Sequence, residues 1–293
     1  MSYVFKFKIA DILLEIHLEH PIIITDGFIP FLSQNTTSKD KIEIIISDRD
    51  KLPEYSSEEL FKNIIFSVRE DKDSLMRTYL DHFKDDRVYA VGKIVSDTKE
   101  EIIYLKGYDK FFSESHNTFS HIALEELLIR HDAMMLHSSF IKTQFGGVLF
   151  SGPSGIGKST QADLWECNEN ARIINGDKSI LRKIDGNWKA FGSPYAGSSR
   201  YFVNESSDLA AIVVLGKSEK CSIKELDKAE AFRKLYSQMI INTWNSEYII
   251  HISDMVEDLI KETKVYYLEC TPDIFAVKLL YETLKEGHID ENR

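Results

Sequence analysis

The stretch Val148-Leu149-Phe150-Ser151-Gly152-Pro153-Ser154-Gly155-Ile156-Gly157-Lys158-Ser159-Thr160 decides how the rest of the chain is interpreted. Residues 152–159 fit the pattern G-x-x-x-x-G-K-[ST], and a short apolar run precedes them. The glycines permit backbone torsions and a close approach that a Cβ would block, so successive N–H groups can point at phosphate oxygens. The pattern predicts a strand, a phosphate-binding loop and a helix over about 159–166, whose N-terminus faces the same anion.

This loop predicts ATP and Mg²⁺ as cofactors. Lys158 would supply a mobile positive charge to the β and γ phosphates, and Ser159 would offer its hydroxyl to Mg²⁺. The remaining loop positions expected to contact the nucleotide are Gly152, Pro153, Ser154, Gly155, Ile156, Gly157 and Thr160.

A carboxylate follows the next apolar run. Residues 171–175 are predicted to form a strand that leads into Gly176-Asp177, so Asp177 would lie at the carboxyl end of a strand beside the loop. A carboxylate there could bind Mg²⁺ or accept a proton from an attacking hydroxyl. Asn-Gly-Asp also favours a turn by itself, and a purely structural turn is the alternative interpretation.

Beyond this carboxylate, Asp185-Gly186 lies between two alternating runs and predicts a β-hairpin over 180–191. The hairpin leads to the small, hydroxyl-rich segment 192–200, which ends at Arg200. Arg200 could neutralise charge on a transferring phosphoryl group, and a plain surface loop is the alternative.

The length of 293 residues suggests one large domain or two moderate ones. Residues 1–115 are predicted to form a β-rich N-terminal domain with a mostly antiparallel sheet, and residues 116–293 a domain built around the loop. The strands expected in the first domain are 5–9, 12–18, 42–46, 63–68, 87–95 and 101–105. In the second domain we expect helices over 117–133, 228–241 and 272–284 and strands over 136–141, 210–215 and 265–268.

Charge and composition exclude several classes of protein. With 36 Lys and Arg against 47 Asp and Glu, the net charge is −11, which argues against binding to nucleic acid. The three cysteines are widely spaced and form no CxxC pair, so neither a disulfide framework nor a zinc site is supported. The chain has no apolar run long enough to span a membrane and no signal-peptide pattern, so a cytoplasmic location without membrane contact is expected.

The segment from His137 to about Leu215 resembles the HPr serine kinase/phosphorylase family, which is similar in fold to phosphoenolpyruvate carboxykinase. The resemblance rests on a strand beginning at His137, on the G-x-S-G-x-G-K-[ST] loop, and on Asp177 at an acidic strand end. It implies an α/β (α+β) fold with a P-loop kinase core, and Mg²⁺- and ATP-dependent phosphorylation of a hydroxyl. Members of the family are often oligomeric, so a homo-oligomer is a possible partner arrangement.

The residues predicted to be catalytic are Asp177, His137, Lys158 and Arg200, of which His137 is supported only by the resemblance and by its spacing from the loop. Mg²⁺ is expected at Ser159 and Asp177. The sequence departs from the family pattern in having Thr160 after the loop serine, and Gly176 where a second acidic residue is usual. Either Asp177 or His137 is therefore a candidate for the general base.

Three functions are compatible with these residues. The first is a kinase acting on a hydroxyl of a peptide, protein or small molecule. The second is a nucleotide or nucleoside kinase, although no arginine-rich lid is visible in residues 180–293. The third is a nucleotide-binding regulatory or assembly protein with little turnover.

Overall fold

The structure is a computed structural model that describes residues 2–35, 38–71 and 74–291. The chain divides into two compact units. Unit 1 comprises Met1–His131 with Asn242–Ser246, and unit 2 comprises Asp132–Ile241 with Glu247–Arg293. Each unit contains one large β-sheet together with helices, so the protein is of mixed α/β class.

The sheet of unit 1 has, among the described residues, eight strands in the order β1-β2-β3-β8-β7-β6-β5-β4. They are β1 (Tyr3–Ile9), β2 (Ile12–Leu18), β3 (Lys41–Arg49), β4 (Glu59–Lys62), β5 (Phe66–Asp71), β6 (Ser74–Asp81), β7 (Arg87–Ser96) and β8 (Lys99–Leu105). The pairs β2–β3 and β3–β8 are parallel and the others are antiparallel, which confirms the predicted mostly antiparallel sheet.

Two features of this sheet differ from the prediction. The single strand expected over 63–68 is a hairpin, because residues 63–65 turn between β4 and β5. Strand β6 has no counterpart in the prediction because it carries Arg77 at a buried position. The guanidinium of Arg77 lies 2.7 Å from the carboxylate of Glu125 and 2.5 Å from that of Glu126. A buried, paired arginine interrupts the apolar pattern by which strands are recognised.

The helix predicted over 117–133 is wrong, since two short helices, α1 (Ser115–Ser120) and α2 (Leu124–Ile129), occupy this segment. The break between them arises because the backbone N–H of Ala123 donates to the carboxylate of Glu100 at 3.1 Å. Phe119 of α1 packs edge-on against Phe7 of β1, with ring centroids 5.0 Å apart. Unit 1 therefore extends to His131, beyond the boundary predicted after residue 115.

Unit 2 contains the strands β9 (Ala133–Thr143), β10 (Gly146–Ser151), β11 (Arg172–Asn175), β12 (Lys178–Ile184), β13 (Asn187–Phe191), β14 (Ser206–Lys217), β15 (Ser222–Glu225) and β16 (Val265–Cys270). Its helices are α3 (Lys158–Glu169), α4 (Lys228–Tyr236), α5 (Ser246–Glu262) and α6 (Ile274–Glu291). The strand order is β10-β9-β12-β13-β14-β16-β15, with β11 on β9. Because β10 also pairs with β14, the strands β10, β9, β12, β13 and β14 form a closed ring of pairings.

The hairpin predicted at Asp185-Gly186 is confirmed, and both residues have the positive φ that such a turn requires, 51° and 84°. The helix predicted over 228–241 is shorter and ends at Tyr236. Helix α5 has no counterpart in the prediction, although its buried residues Ile252, Val256 and Leu259 follow helical spacing.

The core of unit 2 lies between the sheet and helices α3 and α6. Trp165 of α3 and Leu280 of α6 pack with the strand residues Phe150, Val213 and Leu268, all of which are almost completely buried. This packing fixes helix α3, and hence the loop that precedes it, relative to the sheet. In the part of the chain that the structure describes, no helix is long and apolar enough to cross a membrane.

Candidate functional site

The site lies at one edge of the unit 2 sheet, where several strands end in the same direction. Strand β14 is parallel to both β10 and β16. Strand β11 is antiparallel to β9, and β9 is antiparallel to β10, so β11 runs in the same direction as β10. The carboxyl ends of these strands therefore face one edge, which is where open α/β sheets bind ligands.

The glycine-rich segment forms the strand, loop and helix that the sequence predicts. Strand β10 ends at Ser151, and helix α3 begins at Lys158. Gly152, Gly155 and Gly157 have φ values of 140°, 73° and 113°, which residues with a Cβ rarely adopt. A Cβ at Gly155 or Gly157 would have no atom within 4 Å. Glycine is therefore needed at these two positions because of the positive φ and not because a side chain would clash.

Lys158 is held against the loop that precedes it. Its Nζ donates hydrogen bonds to the carbonyl oxygens of Gly152 at 2.9 Å and Pro153 at 3.3 Å. Burial lowers the pKa of Lys158, and the negative charge of Asp177 acts in the opposite direction. The ammonium is thus buried at the loop and lies within the electrostatic reach of Asp177.

His137 and Asp177 form a pair beside this lysine. The Nδ1 atom of His137 lies 3.3 Å from Oδ1 of Asp177, and the N–H of Ser138 donates to the carbonyl oxygen of Asp177 at 2.9 Å. Burial and the charge of Lys158 lower the pKa of His137, and Asp177 partly opposes them. These influences favour the neutral imidazole, which can take up a proton.

Asn175, which the sequence analysis did not select, shapes the turn that carries Asp177. Its Oδ1 accepts hydrogen bonds from the backbone N–H of Asp177 and of Lys178, at 2.9 and 2.8 Å. Its Nδ2 donates to the carbonyl oxygens of Ser193 and Tyr195, at 3.0 and 3.2 Å. The Asn-Gly-Asp sequence predicts a turn, and an asparagine directly after an apolar run is the sequence signal that could have identified Asn175.

Segment 192–200 packs closely over this turn. A Cβ at Gly197 would lie 3.0 Å from the side chain of Asp177, and a Cβ at Gly176 would lie 1.8 Å from Oγ of Ser199. Position 176 therefore has no room for the second acidic side chain that the resembling family carries there.

Buried serine hydroxyls hold the backbone around the pair. Ser139 Oγ donates to the carbonyl oxygen of Gly176 at 3.1 Å, and Ser151 Oγ donates to that of His137 at 3.0 Å. Ser193 Oγ donates to the carbonyl oxygen of Lys178 at 2.5 Å. Because all three serines are fully buried, these bonds are shielded from water and rigidify the strand ends.

The structure thus brings together three of the four side chains predicted to be catalytic, Lys158, His137 and Asp177. The fourth, Arg200, is exposed and has a φ of 60°. Among the described residues no hydrogen bond or ion pair joins Arg200 to the other three.

The residues at the loop fit a magnesium–nucleotide complex. Within the described ranges no group of three or more His, Cys, Asp or Glu side chains could hold a metal ion by itself. Mg²⁺ at nucleotide sites typically takes only one or two protein ligands, with phosphate oxygens and waters completing its shell. Ser159, exposed in the first turn of α3, and Asp177 can supply such oxygen ligands.

Comparison with protein families finds no matching family, and comparison with curated proteins finds no match. Among solved structures, the HPr(Ser) kinase/phosphatase from Coxiella burnetii is similar to this chain with 12% sequence identity and a TM-score of 0.33. The alignment covers 54% of this chain and 95% of that one. A likeness this distant says nothing about catalytic residues, so the function is argued from the site itself.

Proposed function

We propose that this protein is a Mg²⁺- and ATP-dependent kinase with a P-loop core of the HPr kinase-like type, which transfers the γ-phosphoryl group to a hydroxyl of a peptide, protein or small molecule. The observation that carries the proposal is the pairing of Asp177 with His137 next to Lys158, at the sheet edge where the glycine-rich loop ends. A phosphate-binding loop by itself indicates only that a nucleotide binds. A carboxylate–imidazole pair beside the loop can in addition accept the proton that an attacking hydroxyl releases, which favours a kinase.

In this proposal the loop N–H groups and Lys158 would bind the phosphates of ATP, and Ser159 and Asp177 would hold Mg²⁺, which would neutralise phosphate charge. The acceptor oxygen forms a bond to the γ phosphorus while the bond from the γ phosphorus to the bridging oxygen of ADP breaks. The hydroxyl proton passes to the Asp177–His137 pair. Catalysis then consists of positioning, electrostatic stabilisation and proton removal.

The first test is calorimetric titration of the full chain with a non-hydrolysable ATP analogue, with and without Mg²⁺. We expect binding that strengthens markedly with Mg²⁺. The absence of binding in either condition would contradict the proposal at its first step.

The second test measures transfer of labelled γ-phosphate to serine- and threonine-containing peptides and to small alcohols. Transfer that depends on Asp177 supports the kinase. Mg²⁺-dependent binding without transfer to any hydroxyl would favour a nucleotide-binding regulatory or assembly protein instead, and phosphorylation of nucleosides or nucleotides alone would favour a nucleotide or nucleoside kinase.

A further inference from the structure

Two of the three cysteines lie opposite each other on neighbouring strands of unit 2. Strands β15 and β16 are antiparallel, with Ser222 opposite Glu269. Cys221 directly precedes β15, and Cys270 is the last residue of β16. Extending the register by one residue therefore places Cys221 opposite Cys270, although the two are widely spaced in the sequence.

The hydrogen bonds of the ladder show which kind of pair the two cysteines form. The N–H of Leu226 donates to the carbonyl oxygen of Val265, its partner in the same register, at 2.8 Å. Hydrogen-bonded and non-hydrogen-bonded pairs alternate along an antiparallel ladder, so Cys221 and Cys270 form a non-hydrogen-bonded pair. In agreement, the carbonyl oxygen of Cys270 accepts from Ser218, which follows β14 on the other side of β16, at 3.3 Å.

This kind of pair has the spacing that a disulfide needs. The Cα atoms of a non-hydrogen-bonded pair lie about 4.5 Å apart, and the two side chains point to the same face of the sheet. A disulfide requires Cα atoms about 4.4–6.8 Å apart. The strands can therefore keep their positions when the two sulfur atoms are joined.

The side chains of both cysteines pack in the same core. Cys270 is 8% exposed and belongs to the core between the sheet and helices α3 and α6, and the half-buried Cys221 packs against that core. Burial raises the pKa of the Cys270 thiol to about 11, and the nearby Cys221 adds to the rise. Both thiols are free in the structure.

We infer that Cys221 and Cys270 form a redox modification site, at which a peroxide converts the two thiols into a reversible disulfide within one chain. The disulfide would fix β15, the last strand in the order of the unit 2 sheet, to β16. Neither Lys158 nor the His137–Asp177 pair takes part, so the site is independent of the proposed kinase activity.

The reaction begins at Cys221, because this thiol is the more exposed and the raised pKa of Cys270 leaves little thiolate there. The Cys221 thiolate attacks one oxygen of the peroxide, the O–O bond breaks, and the released hydroxide takes up a proton to become water. Sγ of Cys270 then attacks the sulfur of the resulting sulfenic acid, so that the S–S bond forms, the S–O bond breaks, and the hydroxyl leaves as water with the Cys270 proton. Two thiols lose two electrons, and these reduce one peroxide to two waters.

The test treats the full chain with hydrogen peroxide, unfolds it and labels the remaining thiols with a maleimide. The reduced chain has three thiols, Cys167, Cys221 and Cys270. After peroxide we expect one labelled thiol, and after dithiothreitol three again. Mass spectrometry of a proteolytic digest should find the peptides that contain Cys221 and Cys270 joined to each other.

Two variants identify the cysteines that react. Cys167→Ser, at an exposed position of α3, is the matched control and should still lose two thiols. Cys221→Ser should form no disulfide within the chain. Three labelled thiols in the peroxide-treated wild type, oxygen added to Cys221 without a cross-link, or a disulfide that requires Cys167 would each overturn the inference. The wild-type measurement decides the matter without any variant having to fold.

Discussion

The imidazole of His137 contacts the carboxylate of Asp177, with Nδ1 and Oδ1 3.3 Å apart, although His137 lies within β9 and Asp177 in the turn between β11 and β12. The contact depends on the antiparallel register of β9 and β12, in which His137 lies opposite Lys178. Lys158 lies close enough to affect the pKa of His137. The lysine of the glycine-rich loop and a carboxylate–imidazole pair therefore meet at one sheet edge.

Replacing Lys158 by alanine should weaken binding of the Mg²⁺–ATP analogue by about 10- to 100-fold. The side chain would make charge-assisted hydrogen bonds to phosphate, which are worth about 1.5–3 kcal/mol each. Calorimetric titration measures the change, and Lys142→Ala, at an exposed lysine of β9, is the matched control. Unchanged affinity of Lys158→Ala for the ATP analogue would contradict the proposal that residues 152–159 bind phosphate.

Replacing Asp177 by asparagine should lower the rate of phosphoryl transfer by about 10²- to 10⁴-fold, the usual contribution of a general base. Affinity for the ATP analogue should change much less, because Lys158 and the loop backbone remain and the amide oxygen of asparagine can still serve as a ligand for Mg²⁺. Asp185→Asn, at the exposed hairpin turn, is the control and should leave transfer unaltered. Equal rates of phosphoryl transfer in Asp177→Asn and Asp185→Asn would show that Asp177 has only a structural role in the turn.

The pKa of His137 should rise in the Lys158→Ala variant. Burial is the largest cause that lowers the pKa of His137, and the positive charge of Lys158 is the next. Removing that charge stabilises the imidazolium form, so protonation moves to higher pH. NMR titration of the imidazole C–H signals measures this, with the His137→Gln spectrum identifying the resonance. A pKa that stays unchanged or falls would show that Lys158 does not act on His137.

Replacing Asn175 by alanine should lower the transfer rate with little effect on ATP affinity, because the turn that positions Asp177 loses its two hydrogen bonds to Asn175 Oδ1. The free energy of unfolding should also fall by about 3 kcal/mol, since the buried carbonyl oxygen of Ser193 and the half-buried N–H groups of Asp177 and Lys178 lose their partners. Urea unfolding and transfer assays test both effects. Asn187→Ala, at an exposed position of β13, should change neither.

The stability of unit 1 should fall as pH rises, and Glu100 should cause part of that fall. Burial raises the pKa of Glu100 to about 8 in the folded chain, against about 4.3 for an unperturbed glutamate. Between these values the unfolded chain releases the proton that the folded chain retains, so the free energy of unfolding decreases by up to about 1.4 kcal/mol per pH unit.

Glu100→Gln has no titratable group at this position and so removes the pH dependence that Glu100 causes. The difference in free energy of unfolding between Glu100→Gln and the wild type should therefore shift in favour of the variant from pH 5 to pH 8. Denaturant unfolding across that range provides the measurement. Glu101→Gln, at a more exposed carboxylate that pairs with Lys99, is the control. Parallel stability profiles for Glu100→Gln and the wild type would contradict the assignment of a buried neutral carboxyl.

The elements that the sequence predicted poorly are those in which tertiary contacts override local pattern. Strand β6 escaped prediction because Arg77 is buried against Glu125 and Glu126. The helix expected over 117–133 is interrupted because Glu100, distant in sequence, takes the N–H of Ala123. In both places a buried ionisable side chain is paired with a segment distant in sequence, so no local window of sequence contains both partners.

The sequence by itself determined the conformation of the glycine-rich loop, because its requirements are met within a few consecutive residues: glycines for the positive φ values and Lys158 and Ser159 at the start of the helix. Only the tertiary structure decided what surrounds the loop. The His137–Asp177 contact and the close approach of Ser199 to Gly176 both depend on which strands become neighbours. Apolar periodicity states which face of a strand is buried but not which strand lies beside it, so these relations arise only when the sheet is assembled.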